Sequence, residues 1–399
     1  LCTIGRLSFH RPISMRLRAS SLWLRFLLVT LATGLASGCL LTAYSFQFLT
    51  GPDYLLRQWP DYAREMAARE PDREEHWLQR IVDLSPRDSP ARIRLALIAE
   101  WRGDLTQARD RFARAASEDA RFRAQWSELE FLSRHPEAGD PWPTARRCFG
   151  MSHGDRHALL DTVWRLRPDG PFLLSQIIPD SAPVLFYTTL FFMEQGELAS
   201  ARAALARLLP LPFASESRAN AGRVATAAER TDLGLDLTDL HLDRCDFAAA
   251  LAIWHSLAKQ HFLPVDGAAE AGREVMNPRF RTVPLGRGFD WRRPPAAQLE
   301  MVRTSQGWRV EMGLHPPDSA ALLHQRVLLA AGVLPRVEIR ATGAEWVRAL
   351  LLDEKTGRPL VGPLAQAQMA RLSLEYARPP GRPPWREPLV IHEVHWSRR

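Results

Sequence analysis

The chain has 399 residues, of which 46% are hydrophobic and 24% charged, with a mean hydropathy of −0.22. That composition excludes a disordered tail, a collagen-like fibre and a polytopic membrane protein. The net charge of +7 is uneven: residues 1–58 carry +5, residues 59–269 carry −5 and residues 270–399 carry +7. All basic residues except Lys259 and Lys355 are arginine, and no basic stripe is interleaved with aromatics, so nucleic acid is not an expected partner. Cys2, Cys39, Cys148 and Cys245 are too scattered for a disulfide framework, and no CxxC pair is available to hold zinc. A Cys148–Cys245 pair in an oxidising compartment stays open.

The fold class read from the sequence is multidomain α + β: an N-terminal transmembrane helix, an α-solenoid of helix pairs and a C-terminal antiparallel β-sandwich of the jelly-roll kind. Residues 1–25 form a cytoplasmic segment in which Met15 is an alternative start. Residues 26–49, FLLVTLATGLASGCLLTAYSFQFL, contain no charge and at 1.5 Å per residue reach roughly 36 Å, enough to span a bilayer with tilt. Trp23 and Tyr44 sit near the ends, and Arg16, Arg18 and Arg25 precede the run, which puts the N-terminus in the cytoplasm and the bulk in the periplasm. The expected location is the bacterial inner membrane, as a single-pass protein. Two alternatives remain: a signal cleaved near Ala36 and Ser37, and a lipoprotein signal with Cys39 as the lipidated residue.

Residues 59–265 carry a recurring helix-pair signature. In RLALIAEWRGDLTQARDRFARAASED, Gly103, Asp104 and Leu105 form the turn, and Ala108, Phe112 and Ala115 follow at the spacing of the second helix of a tetratricopeptide (TPR) repeat. The frame returns with Gly196, Ala201, Leu205 and Leu208, and again with Cys245, Ala250, Trp254 and Leu257. An earlier half-repeat places Leu78, Ile81 and Pro86. A small alanine permits a close helix crossing, a large residue four later fills the groove, and glycine permits the tight turn. Such repeats bury their faces only by stacking, and their concave surface typically accepts peptides or proteins. The stretch from Leu132 to Gly154, with Pro136, Pro141 and Pro143, is expected to loop out. His153 and His157 have metal-compatible spacing but read as a surface loop, so no metal is expected there.

From Asn277 to Arg399 helical periodicity gives way to short alternating runs separated by Pro and Gly. Strands are predicted over Gln298–Val302, Trp308–Leu314, Gln325–Ala330, Arg336–Ala341, Val347–Leu352, Ala370–Tyr376 and Leu389–Trp396. In LSLEY, Leu372, Leu374 and Tyr376 share one face, and Ser373 and Glu375 the other. The segments NPRF, GRGFDWR, HQRVLLAAGV and RLSLEYARPPGRPPWREPLVIHEVHW resemble the C-terminal domain of membrane-anchored bacterial TPR proteins found with exopolysaccharide and exosortase-type gene sets. In those, the last domain looks like a galactose-binding-type carbohydrate module. The resemblance covers residues 277–399 and implies a role in polysaccharide synthesis or export. It departs at Asn277, Pro278 and Arg279, where relatives often have an acidic strand after Asn-Gly.

Sugar sites pair an aromatic face with polar hydrogen-bonding groups. The tryptophans available are Trp291, Trp308, Trp346, Trp385 and Trp396. Trp291 and Trp308, with Asp290, Arg292 and Gln325, form the expected glycan-binding set, and the local +7 favours an acidic polysaccharide. No HExxH, GxSxG or Walker loop occurs; His392, Glu393 and His395 fall on opposite strand faces, and Gly286 and Gly288 lack the third glycine of a dinucleotide loop. The expected protein is therefore a non-enzymatic envelope scaffold without a cofactor. Its repeats bind a protein partner and its sandwich binds glycan, or else the sandwich is a docking or dimerisation module.

Overall fold

The computed structural model describes residues 27–41, 59–154, 156–212, 225–264, 275–294, 299–313, 317–332, 334–383 and 387–397. These fall into two compact units, Leu1–Ala120 and Arg121–Arg399.

In the first unit a helix, α1, covers residues 27–41. It lies inside the run 26–49, whose remaining residues are outside the described set. Its leucines and Val29 are 58–69% exposed. Among the described residues no helix is long and apolar enough to cross a membrane. Two helix pairs follow: α2 (Pro60–Arg69) with α3 (Glu74–Leu84), and α4 (Ser89–Trp101) with α5 (Leu105–Glu118). Leu78 and Ile81 are buried on α3, as the half-repeat requires.

The second unit opens with α6 (Phe122–Arg134), α7 (Trp142–Met151) and α8 (His157–Leu166). A turn of helix at Gly170–Phe172 then runs into a π-helix over Leu173–Ile177. After these come α9 (Ala182–Glu194), α10 (Leu198–Leu208), α11 (Ala227–Asp243) and α12 (Phe247–Lys259). Helix α7 corrects the expectation of a loop from Leu132 to Gly154. Pro143 sits in its first turn, where a missing N–H costs nothing and a fixed φ favours helix. Cys148 and Phe149 then drop into the core. His157 is likewise helical, with its ring edge-on to Phe191 and Nε2 3.3 Å from Glu194.

The three predicted repeats share one turn. In each, a residue of positive φ (Gly103 at 81°, Gly196 at 76°, Cys245 at 60°) follows the first helix. Its N–H bonds back to Glu100, Met193 or Leu242, and the next N–H bonds to Ala99, Phe192 or His241. This Schellman closure satisfies the last carbonyls of the first helix. Asp104 and Asp246 then cap the second helix by accepting the N–H of Gln107 and Ala249. Beyond the turns, Ala108, Phe112, Ala115, Ala201, Leu205, Leu208, Ala250, Trp254 and Leu257 are all buried to 1% exposure or less. Cys245 occupies a left-handed position without being glycine, a conformation that costs a side chain roughly 1 kcal/mol. Cys245→Gly is expected to raise the urea midpoint by about that free energy, and Gly103→Ala to lower it by a similar amount.

Cys245 is exposed, Cys148 is buried, and both are free thiols. Burial pushes the Cys148 thiol up to about 12, so it packs as a small apolar group.

The sandwich contains seven strands among the described residues: β1 (Leu299–Thr304), β2 (Gly307–Met312), β3 (Ser319–Leu329), β4 (Arg336–Thr342), β5 (Val347–Asp353), β6 (Gln368–Ala377) and β7 (Leu389–Ser397). One antiparallel sheet has the order β1-β2-β7-β4 and the other β3-β6-β5. The chain passes between sheets at β2–β3, β3–β4, β4–β5 and β6–β7. Leu372, Leu374 and Tyr376 of β6 are fully buried between the sheets, with Leu389, Ile391 and Val394 of β7 opposite.

The alternation in LSLEY predicts a strand covered on one side, and the start of β6 departs from it. Met369, and Leu328 paired with it in register, belong to the helical core together with Met276, Leu285 and Phe289. The helices of the second unit and the sandwich therefore share a hydrophobic core. The division at 265–277 separates secondary-structure types without separating packing units.

Candidate functional site

The GRGFDWR segment sits at the contact between the last helix pair and the sandwich. Helix α11 carries Asp232, Asp236, Asp239 and Asp243 at spacings of four, three and four, which places them along one helical face. The sandwich answers with arginines. Arg287 pairs with Asp232 at 3.5 Å, with Asp236, and with Asp239 at 3.6 Å; Arg292 pairs with Asp239, and Arg326 with Asp243 at 3.0 Å. Asp239 also accepts the N–H of Gly288 at 2.8 Å.

Beneath this row is an apolar plug. Phe289 is fully buried, edge-on to the fully buried Trp254 of α12 at 5.7 Å. Gly288 has φ +57°, and a Cβ there would lie 2.2 Å from the Trp254 ring. Only glycine allows the backbone to lie against the indole while keeping its N–H on Asp239.

The residues predicted to hold a glycan build this joint. Trp291 is fully buried and packs on Phe280 in the sandwich core, so it offers no face to a sugar. Asp290 is fully buried; its oxygens accept the N–H groups of Leu285 at 2.7 Å and Trp291 at 2.8 Å, fixing the turn. Gln325 is fully buried and spans the backbone of Met276, accepting its N–H at 2.9 Å and donating to its carbonyl at 3.0 Å. Arg292 pairs with Asp239 and bridges through its backbone to His324. The sugar-site expectation is corrected at these four positions, because burial and intramolecular bonds occupy the groups a ligand needs. Trp346 is buried and stacked on Tyr376. Trp308 and Trp396 are half-buried against the sandwich core, and Trp385 lies outside the described residues.

Burial pushes the Asp290 carboxyl up to about 6, against the two N–H donors that favour its charge. An acid whose pKa is higher folded than unfolded binds more protons when folded. Stability is therefore expected to rise as pH falls from 7 to 5, by about 1 kcal/mol from this group. Asp290→Asn should lower stability throughout, since an NH₂ would face an N–H, and should remove that part of the slope in urea titrations at the two pH values.

A different surface presents unpartnered apolar groups. In the first unit, a groove of about 490 Å³ lies between the start of α3 and the outer face of α4, lined by Pro71, Asp72, Glu74, Arg94, Leu97 and Trp101 among others. Leu97 and Trp101 are four residues apart on α4, Trp101 87% exposed and Leu97 37% exposed. The opposite face of the helix buries Leu95, Ala96 and Ala99. Arg94 grips Glu74 with Nε at 2.7 Å and Nη2 at 3.3 Å, and Arg102 pairs with Glu75. Leu97 and Trp101 are not among the residues expected from the sequence to carry function. The signal available was two large apolar residues four apart, outside the buried set of the same helix and just ahead of the Gly103 turn.

Among the described residues no group of three or more His, Cys, Asp or Glu side chains could hold a metal ion. No protein-family model and no curated protein matches the chain. Solved structures that align with it include MamA from residue 41 onward of Desulfovibrio magneticus RS-1, at 12% identity and a TM-score of 0.20, covering 51% of this chain and 94% of that one. Pseudomonas aeruginosa PilF aligns at 13% identity and a TM-score of 0.21, covering 50% and 92%. YrrB, described as a TPR protein with an unusual peptide-binding site, aligns at 11% identity and a TM-score of 0.21, covering 48% and 95%. At those scores the case for TPR-like helix pairs rests on this chain's own turns and buried positions.

Proposed function

We propose that the protein is a non-enzymatic scaffold of the bacterial cell envelope that binds a protein partner through its helical repeats, with the sandwich serving as a docked module. The observation that carries this reading is the groove on α4, where a nearly fully exposed tryptophan stands beside Leu97 on a repeat of TPR type. Exposed aromatic anchors of this kind dominate binding energy at protein interfaces. Burial of Trp291, Asp290 and Gln325 favours a docked sandwich over a sugar-binding one.

The membrane anchor and the place in exopolysaccharide assembly are carried by the uncharged run 26–49 and by the family resemblance of residues 277–399. The exposure of the leucines of α1 supports the former, since apolar side chains without protein cover are stabilised by lipid. The test is site-specific photo-crosslinking in the native host. A photoreactive residue at Leu97 is expected to give a discrete adduct, and one at the exposed Asp110 of α5 none. Equal labelling at both positions, or at neither, contradicts the reading.

A further inference from the structure

The α4 groove also specifies a chemistry for its occupant. Its floor is apolar, formed by Leu97, Ile98 and Pro71, with the Trp101 ring standing free at one side. Its rim is charged, and the charges are unequally satisfied. Both lining arginines are held by carboxylates of the groove itself: Arg94 by Glu74 through two nitrogens, and Arg102 by Glu75. Glu75 is shared with Arg111 at 3.5 Å. Asp72 lines the same groove and is exposed, and its carboxylate makes no hydrogen bond or ion pair among the described residues.

Among the described residues the groove therefore offers no free cation to an acidic ligand, and it offers one free carboxylate beside an exposed indole face. We propose that this groove takes an unstructured protein segment that inserts a large aliphatic side chain onto Leu97 and Ile98 and places an arginine or lysine against Trp101 and Asp72. The aliphatic residue removes the apolar floor from water. A guanidinium stacked on the indole gains a cation–π contact while its N–H groups reach the carboxylate. The volume of about 490 Å³ suits one or two side chains, which is the scale of a short linear motif. An acidic segment meets Asp72 and two guanidinium groups already neutralised, so it gains no charge pairing and meets like-charge repulsion at the rim.

This inference rests on the groove being the partner site, and the experiment separates the two claims. Three fluorescently labelled peptides of equal length are titrated into the full chain in mild detergent, with fluorescence polarisation as the readout. One alternates leucine with arginine, one leucine with glutamate, and one serine with arginine. The leucine–arginine peptide is expected to saturate. Trp101→Ala should weaken it about tenfold or more, and Asp72→Asn severalfold, with thermal unfolding unchanged for both because both side chains are exposed. The serine–arginine peptide should bind weakly, showing that charge alone is insufficient. Preferential binding of the leucine–glutamate peptide, still sensitive to Trp101→Ala, would overturn the proposed chemistry while keeping the groove as partner site. Binding of the leucine–arginine peptide that is indifferent to Trp101→Ala, or no binding by any of the three, would overturn the groove itself.

Discussion

Gly288→Ala is expected to destabilise the second unit by about 3 kcal/mol. Two costs combine: a left-handed φ, worth roughly 1 kcal/mol, and a Cβ placed inside the van der Waals envelope of the Trp254 ring, an overpacking worth about 1–3 kcal/mol. The contact is 2.2 Å, and neither partner is free to give. Trp254 is fully buried among α12, Phe289 and the helical core, while the Gly288 N–H is bound to Asp239. Trp254→Ala alone should cost about 3–5 kcal/mol through the cavity it leaves. In that background the ring is gone, and Gly288→Ala should cost only the backbone share, about 1 kcal/mol. A double-mutant cycle on urea midpoints measures this coupling. Additive costs in the cycle would show that Gly288 and Trp254 do not meet as described.

Asp239→Ala is expected to cost about 2–3 kcal/mol, more than any other member of the acidic row on α11. Its side chain is 23% exposed, and its oxygens serve Arg292, Arg287 and the Gly288 N–H together. Removing it leaves a half-buried guanidinium and a backbone donor without an acceptor, the situation in which loss of one partner is expensive. Asp232, Asp236 and Asp243 are more than half exposed, so alanine at each should cost less than about 1 kcal/mol. High salt should narrow the effects of those three and leave the Asp239 effect nearly intact. Equal effects along the row would mean that the contact is held by diffuse charge attraction.

The helix pairs were legible because their signals are local. A left-handed residue after the first helix and an alanine followed four later by a large residue are set by backbone geometry within one hairpin, so Gly103, Gly196 and even Cys245 mark their turns. Strand positions were legible for the same reason, through period-two alternation. The stretch after Leu132 was misread because proline is both a helix breaker and a favoured first-turn residue, and Pro143 is the second. The joint was not legible. GRGFDWR reads as a glycine-rich turn followed by an aromatic with polar neighbours, a composition shared by sugar sites and by buried plugs. What distinguishes the two is whether Trp291 and Asp290 face water, and that depends on tertiary packing: Trp291 lies in the sandwich core against Phe280, while its neighbour Phe289 packs on Trp254 of α12. One clue lay in the sequence: the aspartates of TDLGLDLTDLHLD repeat on a single face of α11, and such a face in an otherwise well-packed helix calls for a basic partner. The groove was missed for a complementary reason. The pairing of aromatic and polar residues points to the tryptophans of the sandwich, most of which are buried or half-buried, and Trp101 is not among the residues it marks.

Hydrogen exchange measured along the full chain, wild type against Gly288→Ala, tests most directly whether the GRGFDWR segment clamps the sandwich to the repeats as one folding unit. The account predicts that protection falls together over residues 285–292, along α11 and α12, and in β3 and β6 where Leu328 and Met369 join the helical core, while α4 and α5 keep theirs. A rise in exchange confined to residues 286–290, with α12 and β6 unchanged, would contradict it.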